Sequence, residues 1–83
     1  MAFLTPRETI ALTALANGSP MTIGDLSQVV TQMAGKDIGP EATAALARSL
    51  VGQRMAERSG TGGLELYQAT AEGRAWLEAY GGG

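Results

Sequence analysis

Apolar residues recur at helical spacing in three stretches that precede residue 54 of the chain. The first stretch opens with Thr5-Pro6-Arg7-Glu8, in which Thr5 and Glu8 have the spacing of a capping box and Pro6 suits the first helical position. Asn17-Gly18 is a helix stop signal. The pattern therefore predicts a first helix that begins at Pro6 and stops at Asn17-Gly18.

Two further helices are predicted, with a tight turn between them. The second starts after the capping residue Thr22, has Asp25 at its third position and ends at Ala34-Gly35. Residues 36–39 form the turn, and Pro40 begins a third helix that runs to about Gln53. Two short helices joined by a tight turn, with a longer one before them, are typical of a helix-turn-helix core.

The period of the pattern changes after the third helix. Residues 55–59 and 64–69 both suit extended strands, and the glycine-rich stretch 60–63 between them has the composition of a hairpin turn. Thr70 then caps a last helix, predicted from Ala71 to Tyr80. Trp76, Leu77 and Tyr80 share one side of that helix, and we expect them to close the core over the first helix.

The order of elements predicts the fold class. Three helices, a hairpin and a final helix follow one another without a repeat or a dividing linker. We therefore predict one α+β domain, mostly helical, that spans residues 1–83, with residues 81–83 as a flexible tail. Its architecture would be a winged helix-turn-helix, with a three-helix core, a β-hairpin wing and a short C-terminal helix.

Two parts of the sequence resemble the PadR-like and MarR-like winged-helix transcriptional regulators. "LTPRETIALTALANGSPMTIGDLSQVV" is similar to their opening, and "LARSLVGQRMAERSG" with "LYQATAEGRAWL" is similar to their last core helix and wing. The pattern Y-x-x-T-x-x-G-R-x-W-L at residues 67–77 is the most specific part. The resemblance implies duplex DNA binding, usually by a dimer, with the third helix in the major groove and the wing on the backbone. One departure is Arg54, which stands where such families often have glycine.

Two surfaces of the predicted fold carry the candidate DNA contacts. At about 100° per residue, the third helix presents Glu41, Ala45, Arg48 and Gly52 opposite its apolar stripe, with Ser49 beside them. Arg48 has the chemistry to read guanine, while Glu41 suits cytosine but repels phosphate. The other candidates are backbone contacts in the turn and the wing. The predicted DNA contacts are Lys36, Glu41, Arg48, Arg54, Arg58 and Thr61.

The same surface also suits a protein partner. The exposed face of the third helix is small and smooth, which favours close approach of another helix. Tight DNA binders make about 6–10 phosphate contacts, and one copy of this chain offers about half that number, so strong binding would require a homodimer or a larger complex. The alternative hypothesis is a protein–protein interaction module. Ala45, Gly52 and Tyr80 are the candidate residues of a partner or dimer interface.

Composition narrows the function classes. The chain has 6 Lys and Arg against 8 Asp and Glu, so its net charge of −2 gives no general attraction to nucleic acid. Without His or Cys, and with its acids scattered singly, it has no constellation for catalysis or metal binding, and we expect neither an enzyme nor a cofactor. No apolar run is long enough for a membrane span and no signal peptide is visible, so we expect a cytoplasmic protein.

Overall fold

The computed structural model of the protein describes residues 4–18, 20–60 and 65–80. In these residues the order and type of the predicted elements are confirmed. The predicted wing-tip residues 61–63, Thr61 among them, and the predicted tail 81–83 lie outside the described residues. The elements are α1 (Pro6–Asn17), α2 (Ile23–Ala34), α3 (Pro40–Gly52), β1 (Ala56–Ser59), β2 (Leu66–Ala69) and α4 (Ala71–Tyr80).

Local capping explains where the first two helices begin and where α2 ends. The Thr5 hydroxyl accepts from the Glu8 N–H at 3.2 Å while the Glu8 carboxylate accepts from the Thr5 N–H at 2.9 Å, which is the predicted capping box. The Thr22 hydroxyl accepts from the Asp25 N–H at 3.2 Å. α2 ends at Gly35, whose φ of 74° lies in the left-handed region that glycine adopts without strain.

One hydrophobic core lies between α1, α2 and α3 and extends under the hairpin. Its largest fully buried apolar side chains come from all three helices, and the described residues leave no buried side-chain polar atom unsatisfied. The hydroxyl of Thr43, which is also fully buried, donates to the Gly39 carbonyl at 2.9 Å. The largest fully buried apolar side chains are Leu12, Leu15, Leu26, Val30 and Leu50.

The two strands pair antiparallel, with Arg58 opposite Tyr67. Both strands are shorter than predicted, since pairing begins at Ala56 in β1 and at Leu66 in β2. The segment before α2 also pairs with β2: the Met21 N–H donates to the Tyr67 carbonyl at 3.0 Å, and the Met21 carbonyl accepts from the Tyr67 N–H at 2.8 Å. β2 is therefore held between β1 and Met21, and this pairing fixes the hairpin to the helical core.

A tight corner connects β2 to α4. The Thr70 hydroxyl accepts from the Gly73 N–H at 3.0 Å and donates to the Arg54 carbonyl at 2.7 Å, and the Thr70 N–H donates to the Met55 carbonyl at 3.0 Å. A Cβ atom at Gly73 would lie 2.1 Å from the Met55 carbonyl oxygen. The glycine is therefore required by the close approach of α4 to the backbone that follows α3.

α4 packs against α1 on one side and leaves its C-terminal end exposed. Trp76 and Leu77 are partly buried against the core, as predicted, and Arg74 donates to the Ala16 carbonyl of α1 at 3.2 Å. Tyr80 is 57% exposed, so the prediction that it helps to close the core is wrong. Its ring instead contacts the Trp76 ring at a centroid distance of 5.5 Å. In the described part of the chain, no helix has the length and hydropathy of a membrane span.

Candidate nucleic-acid interface

The outer face of α3 is exposed as the helical periodicity predicts. Glu41, Ala45, Arg48 and Gly52 are all exposed, while the opposite side of the helix is buried in the core. Ser49 is half-buried at the edge of this face, where it was predicted to lie, and its hydroxyl donates to the buried carboxylate of Glu8 on α1. The hydroxyl of Ser49 is therefore engaged with α1, and Arg48 is the one basic side chain of the outer face within α3.

Glu8 connects α1 to the C-terminal half of α3. Besides its capping contact, its carboxylate accepts from the Ser49 hydroxyl and from the Gln53 amide, the latter at 3.3 Å. Burial raises the pKa of Glu8, but the hydrogen bonds from Ser49, Thr5 and Gln53 outweigh it and hold the pKa below its ordinary value. The ionised carboxylate thus fixes how α3 sits on α1, and with it the direction of the outer face.

α3 ends in a Schellman motif whose left-handed residue is Arg54. The Met55 N–H donates to the Leu50 carbonyl at 2.9 Å and the Arg54 N–H to the Val51 carbonyl at 3.0 Å, which are the two bonds that define the motif. Arg54 has a φ of 64° and is the one non-glycine residue with positive φ in the described chain. The departure from glycine noted in the sequence is therefore an arginine held in a conformation that disfavours side chains, at a cost of about 1–2 kcal/mol.

A cleft of about 540 Å³ lies between the C-terminal half of α3 and the hairpin. Three of the predicted DNA contacts, Arg48, Arg54 and Arg58, line it together although they come from three different local structures. Lys36, in the turn between α2 and α3, is exposed but does not line the cleft. The remaining lining residues are Val51, Ala56, Glu57, Tyr67 and Thr70, none of which was predicted as a site residue.

The three arginines differ in their partners. Arg58 forms an ion pair with Glu65 at 3.7 Å, in which both side chains are more than half exposed. Within the described ranges, the guanidinium groups of Arg48 and Arg54 have neither a hydrogen bond nor an ion pair. The Glu57 carboxylate, which also lines the cleft, accepts a hydrogen bond from the Gln68 amide. Two of the three guanidinium groups are therefore available to an incoming anion.

Two solved structures have the same arrangement of elements. The chain superposes on Rv1404 from Mycobacterium tuberculosis with a TM-score of 0.79 at 22% identity, over 90% of this chain and 49% of that one. It superposes on RosR from H. salinarum with a TM-score of 0.82 at 18% identity, over 92% of this chain and 69% of that one. The fold is a winged helix. At these identities the likeness establishes the fold alone, and this chain spans about half the length of Rv1404.

Sequence comparisons do not narrow the assignment further. No protein-family model matches the chain, and no curated protein sequence matches it significantly. The finer resemblance to PadR-like and MarR-like regulators therefore stays a prediction. The structure does give physical reasons for the pattern on which that resemblance depends: Tyr67 is buried and pairs with Met21, Thr70 caps α4, and Gly73 permits the close approach to Met55.

Proposed function

We propose that this winged-helix chain is a small DNA-binding protein, a transcriptional regulator or a mobile-element accessory protein related to the PadR-like and MarR-like regulators. The observation that carries the proposal is the convergence of Arg48, Arg54 and Arg58 on one cleft between α3 and the hairpin. The chain as a whole has a net charge of −2, so a local concentration of cations is not a consequence of its composition.

The dimensions of α3 suit the major groove. Its 13 residues extend about 20 Å, and the groove is about 12 Å wide. The side chain of Ala45 is short, so the backbone of α3 can approach the bases closely. Arg48 then reaches a guanine edge with the two parallel N–H donors of its guanidinium group. The wing, beginning with Arg58, lies against the adjacent backbone.

The phosphate contacts set the strength of binding. Lys36, Arg48, Arg54 and Arg58 provide up to about four cationic contacts in one copy, which corresponds to an affinity loss of roughly 100-fold between about 50 and 200 mM salt. A homodimer would double the number of contacts and steepen the salt dependence accordingly. We therefore propose that the functional form on DNA is a homodimer or part of a larger complex.

The proposal is tested by titrating a fluorescently labelled pool of random duplex DNA with the protein at low and physiological salt while light scattering reports the oligomeric state. Arg48→Ala and Arg58→Ala each remove one cation from the cleft and should weaken binding and reduce the salt slope by about one. Arg7→Ala, on α1 and outside the cleft, removes the same charge and should change binding little. Absence of binding by the parent protein even at low salt would overturn the proposal.

The second candidate is a protein–protein interaction module. It is favoured by Glu41, which lies at the end of α3 that would enter the groove first and repels phosphate, and by two exposed apolar side chains, Met33 at 45% and Tyr80 at 57%. If this candidate is right, Glu41→Gln should not enhance DNA binding at low salt, and Ala45→Arg on the outer face of α3 should block the partner. If DNA is the ligand, both substitutions should instead increase affinity for duplex DNA.

A further inference from the structure

Arg54 occupies a backbone position at which its side chain is a disadvantage to the fold. The Schellman motif at the end of α3 requires the left-handed conformation there, and the φ of 64° places Arg54 in it. The carbonyl of Arg54 is also fixed, because it accepts from the Thr70 hydroxyl at 2.7 Å. Glycine would satisfy every one of these backbone contacts without steric strain.

Among the described residues, the side chain of Arg54 makes no polar contact that offsets this strain. It is exposed, and in the described part of the chain its guanidinium group has no hydrogen-bond or ion-pair partner. Arg74 differs in this respect, since it donates to the Ala16 carbonyl, and so does Arg58, which pairs with Glu65. The backbone of residue 54 therefore stabilises the fold through its hydrogen bonds, whereas the arginine side chain adds no hydrogen bond or ion pair among the described residues.

The cleft that Arg54 lines has the character of an anion site. Arg48, Arg54 and Arg58 bring three positive charges to it, Glu57 brings one negative charge, and Glu65 offsets the charge of Arg58, so that the balance is one positive charge. The hydroxyl groups that line the cleft donate to the protein itself, Tyr67 to Glu65 at 3.3 Å and Thr70 to Arg54. Recognition in this cleft thus depends on guanidinium groups, which bind phosphate oxygens with two parallel hydrogen bonds.

We propose that the cleft between α3 and the hairpin binds one backbone phosphate of duplex DNA, with Arg54 as a dedicated phosphate-binding residue retained at a glycine position. This inference rests on the proposed DNA binding and adds to it a specific residue and a trade-off. The side chain that strains the end of α3 supplies the contact that fixes the helix relative to the DNA backbone. Stability and DNA affinity should therefore respond in opposite directions to a change at this one position.

The test compares Arg54→Gly with Arg54→Lys, with Arg7→Ala as the charge-matched control outside the cleft. Arg54→Gly removes both the strain and the cation, so its thermal unfolding midpoint should rise by a few degrees while its affinity for labelled duplex DNA falls about 3- to 10-fold. Its salt slope should fall by about one. Arg54→Lys keeps the charge without the two-pronged geometry and should show an intermediate affinity with no gain in stability.

The outcomes separate this inference from the proposal on which it rests. One outcome is that the parent binds DNA and that Arg58→Ala weakens this binding while Arg54→Gly does not. In that case the inference is overturned and DNA binding stands. If the parent does not bind DNA, the proposed function is overturned and the inference with it. A titration with inorganic phosphate, followed through the backbone amides of Arg54 and Met55, addresses the source of the phosphate. If the parent protein does not bind DNA but binds free phosphate saturably, the assignment of the cleft to a phosphate of the DNA backbone is overturned.

Discussion

The substitution Gly73→Ala tests the corner that joins the hairpin to α4. The new Cβ atom would lie 2.1 Å from the Met55 carbonyl oxygen and 3.0 Å from a methyl carbon of Leu12, where ordinary contacts begin at 3.4 Å. The chain must therefore open by more than 1 Å at a backbone atom that cannot rotate away. That movement would stretch two hydrogen bonds, each 3.0 Å long. One runs from the Gly73 N–H to the Thr70 hydroxyl, and the other from the Thr70 N–H to the Met55 carbonyl.

The size of the effect follows from these contacts. Overpacking of this kind costs about 1–3 kcal/mol, and weakening two neutral hydrogen bonds adds about 1 kcal/mol for each. The higher helix propensity of alanine returns about 1 kcal/mol. We therefore expect Gly73→Ala to lower the free energy of unfolding by about 2–4 kcal/mol, a large part of the stability of a domain of this size.

Urea unfolding monitored by Trp76 fluorescence and by far-ultraviolet circular dichroism measures this loss. The matched control is Gly24→Ala in α2, where the nearest atom to the added Cβ would be the Thr22 hydroxyl oxygen at 3.9 Å, so alanine should be neutral or should stabilise by up to about 1 kcal/mol. If Gly73→Ala is as stable as the parent, or if the two substitutions have the same effect, the account of the corner is wrong.

Two other substitutions test the electrostatics of the helix interface and of the wing. Glu8→Gln should lower the free energy of unfolding by about 1.5–3 kcal/mol near neutral pH, because the carboxylate accepts charge-assisted hydrogen bonds from Ser49 and Gln53. Because the folded-state pKa of Glu8 is lowered, this stabilisation is complete above the ordinary pKa of glutamate and is lost as the pH falls through the folded-state value. The free energies of unfolding of the parent and the variant, measured by urea titration, should therefore converge at acid pH. A difference that stays constant with pH would contradict the assignment. Glu65→Gln breaks the exposed ion pair with Arg58, so stability should change by less than about 1 kcal/mol. DNA affinity at low salt should rise, and unchanged affinity would count against a role of the wing arginine.

The helices were predictable because their signals are local. The capping pairs Thr5 with Glu8 and Thr22 with Asp25 each lie within four residues of one another, and the structure shows the bonds that this spacing implies. At Arg54, the expectation of glycine came from the resemblance to winged-helix regulators, and the positive φ of this residue gives the physical reason for it. Local backbone rules were sufficient for the two caps.

Contacts between distant residues were not predictable from periodicity. Met21 pairs with Tyr67, and Glu8 binds Ser49 and Gln53, across separations of more than 40 residues that no local pattern encodes. The hydrogen bond from Ser49 to Glu8 was therefore not part of the prediction. The expectation that Tyr80 helps to close the core failed because the helical period gives the direction of a side chain but not where the core ends, and its place in a partner or dimer interface stays a prediction.

For the candidate site, residue type and topology indicated which arginines are candidate contacts but not how they are arranged. Arg48, Arg54 and Arg58 were candidates on charge and position, and the structure places all three around one cleft. Glu65 was not foreseen as the partner of Arg58, because their pairing depends on the register of the hairpin.

The central claim is that duplex DNA meets the outer face of α3 and the adjoining cleft. The most direct test is a map of backbone amide chemical-shift changes when ¹⁵N-labelled protein is titrated with duplex DNA at low salt. The account predicts that the changes concentrate in α3, at Arg54 and along β1, and that they diminish as salt is raised. Changes confined to α4 and the neighbourhood of Tyr80, or no changes at saturating DNA, would contradict it.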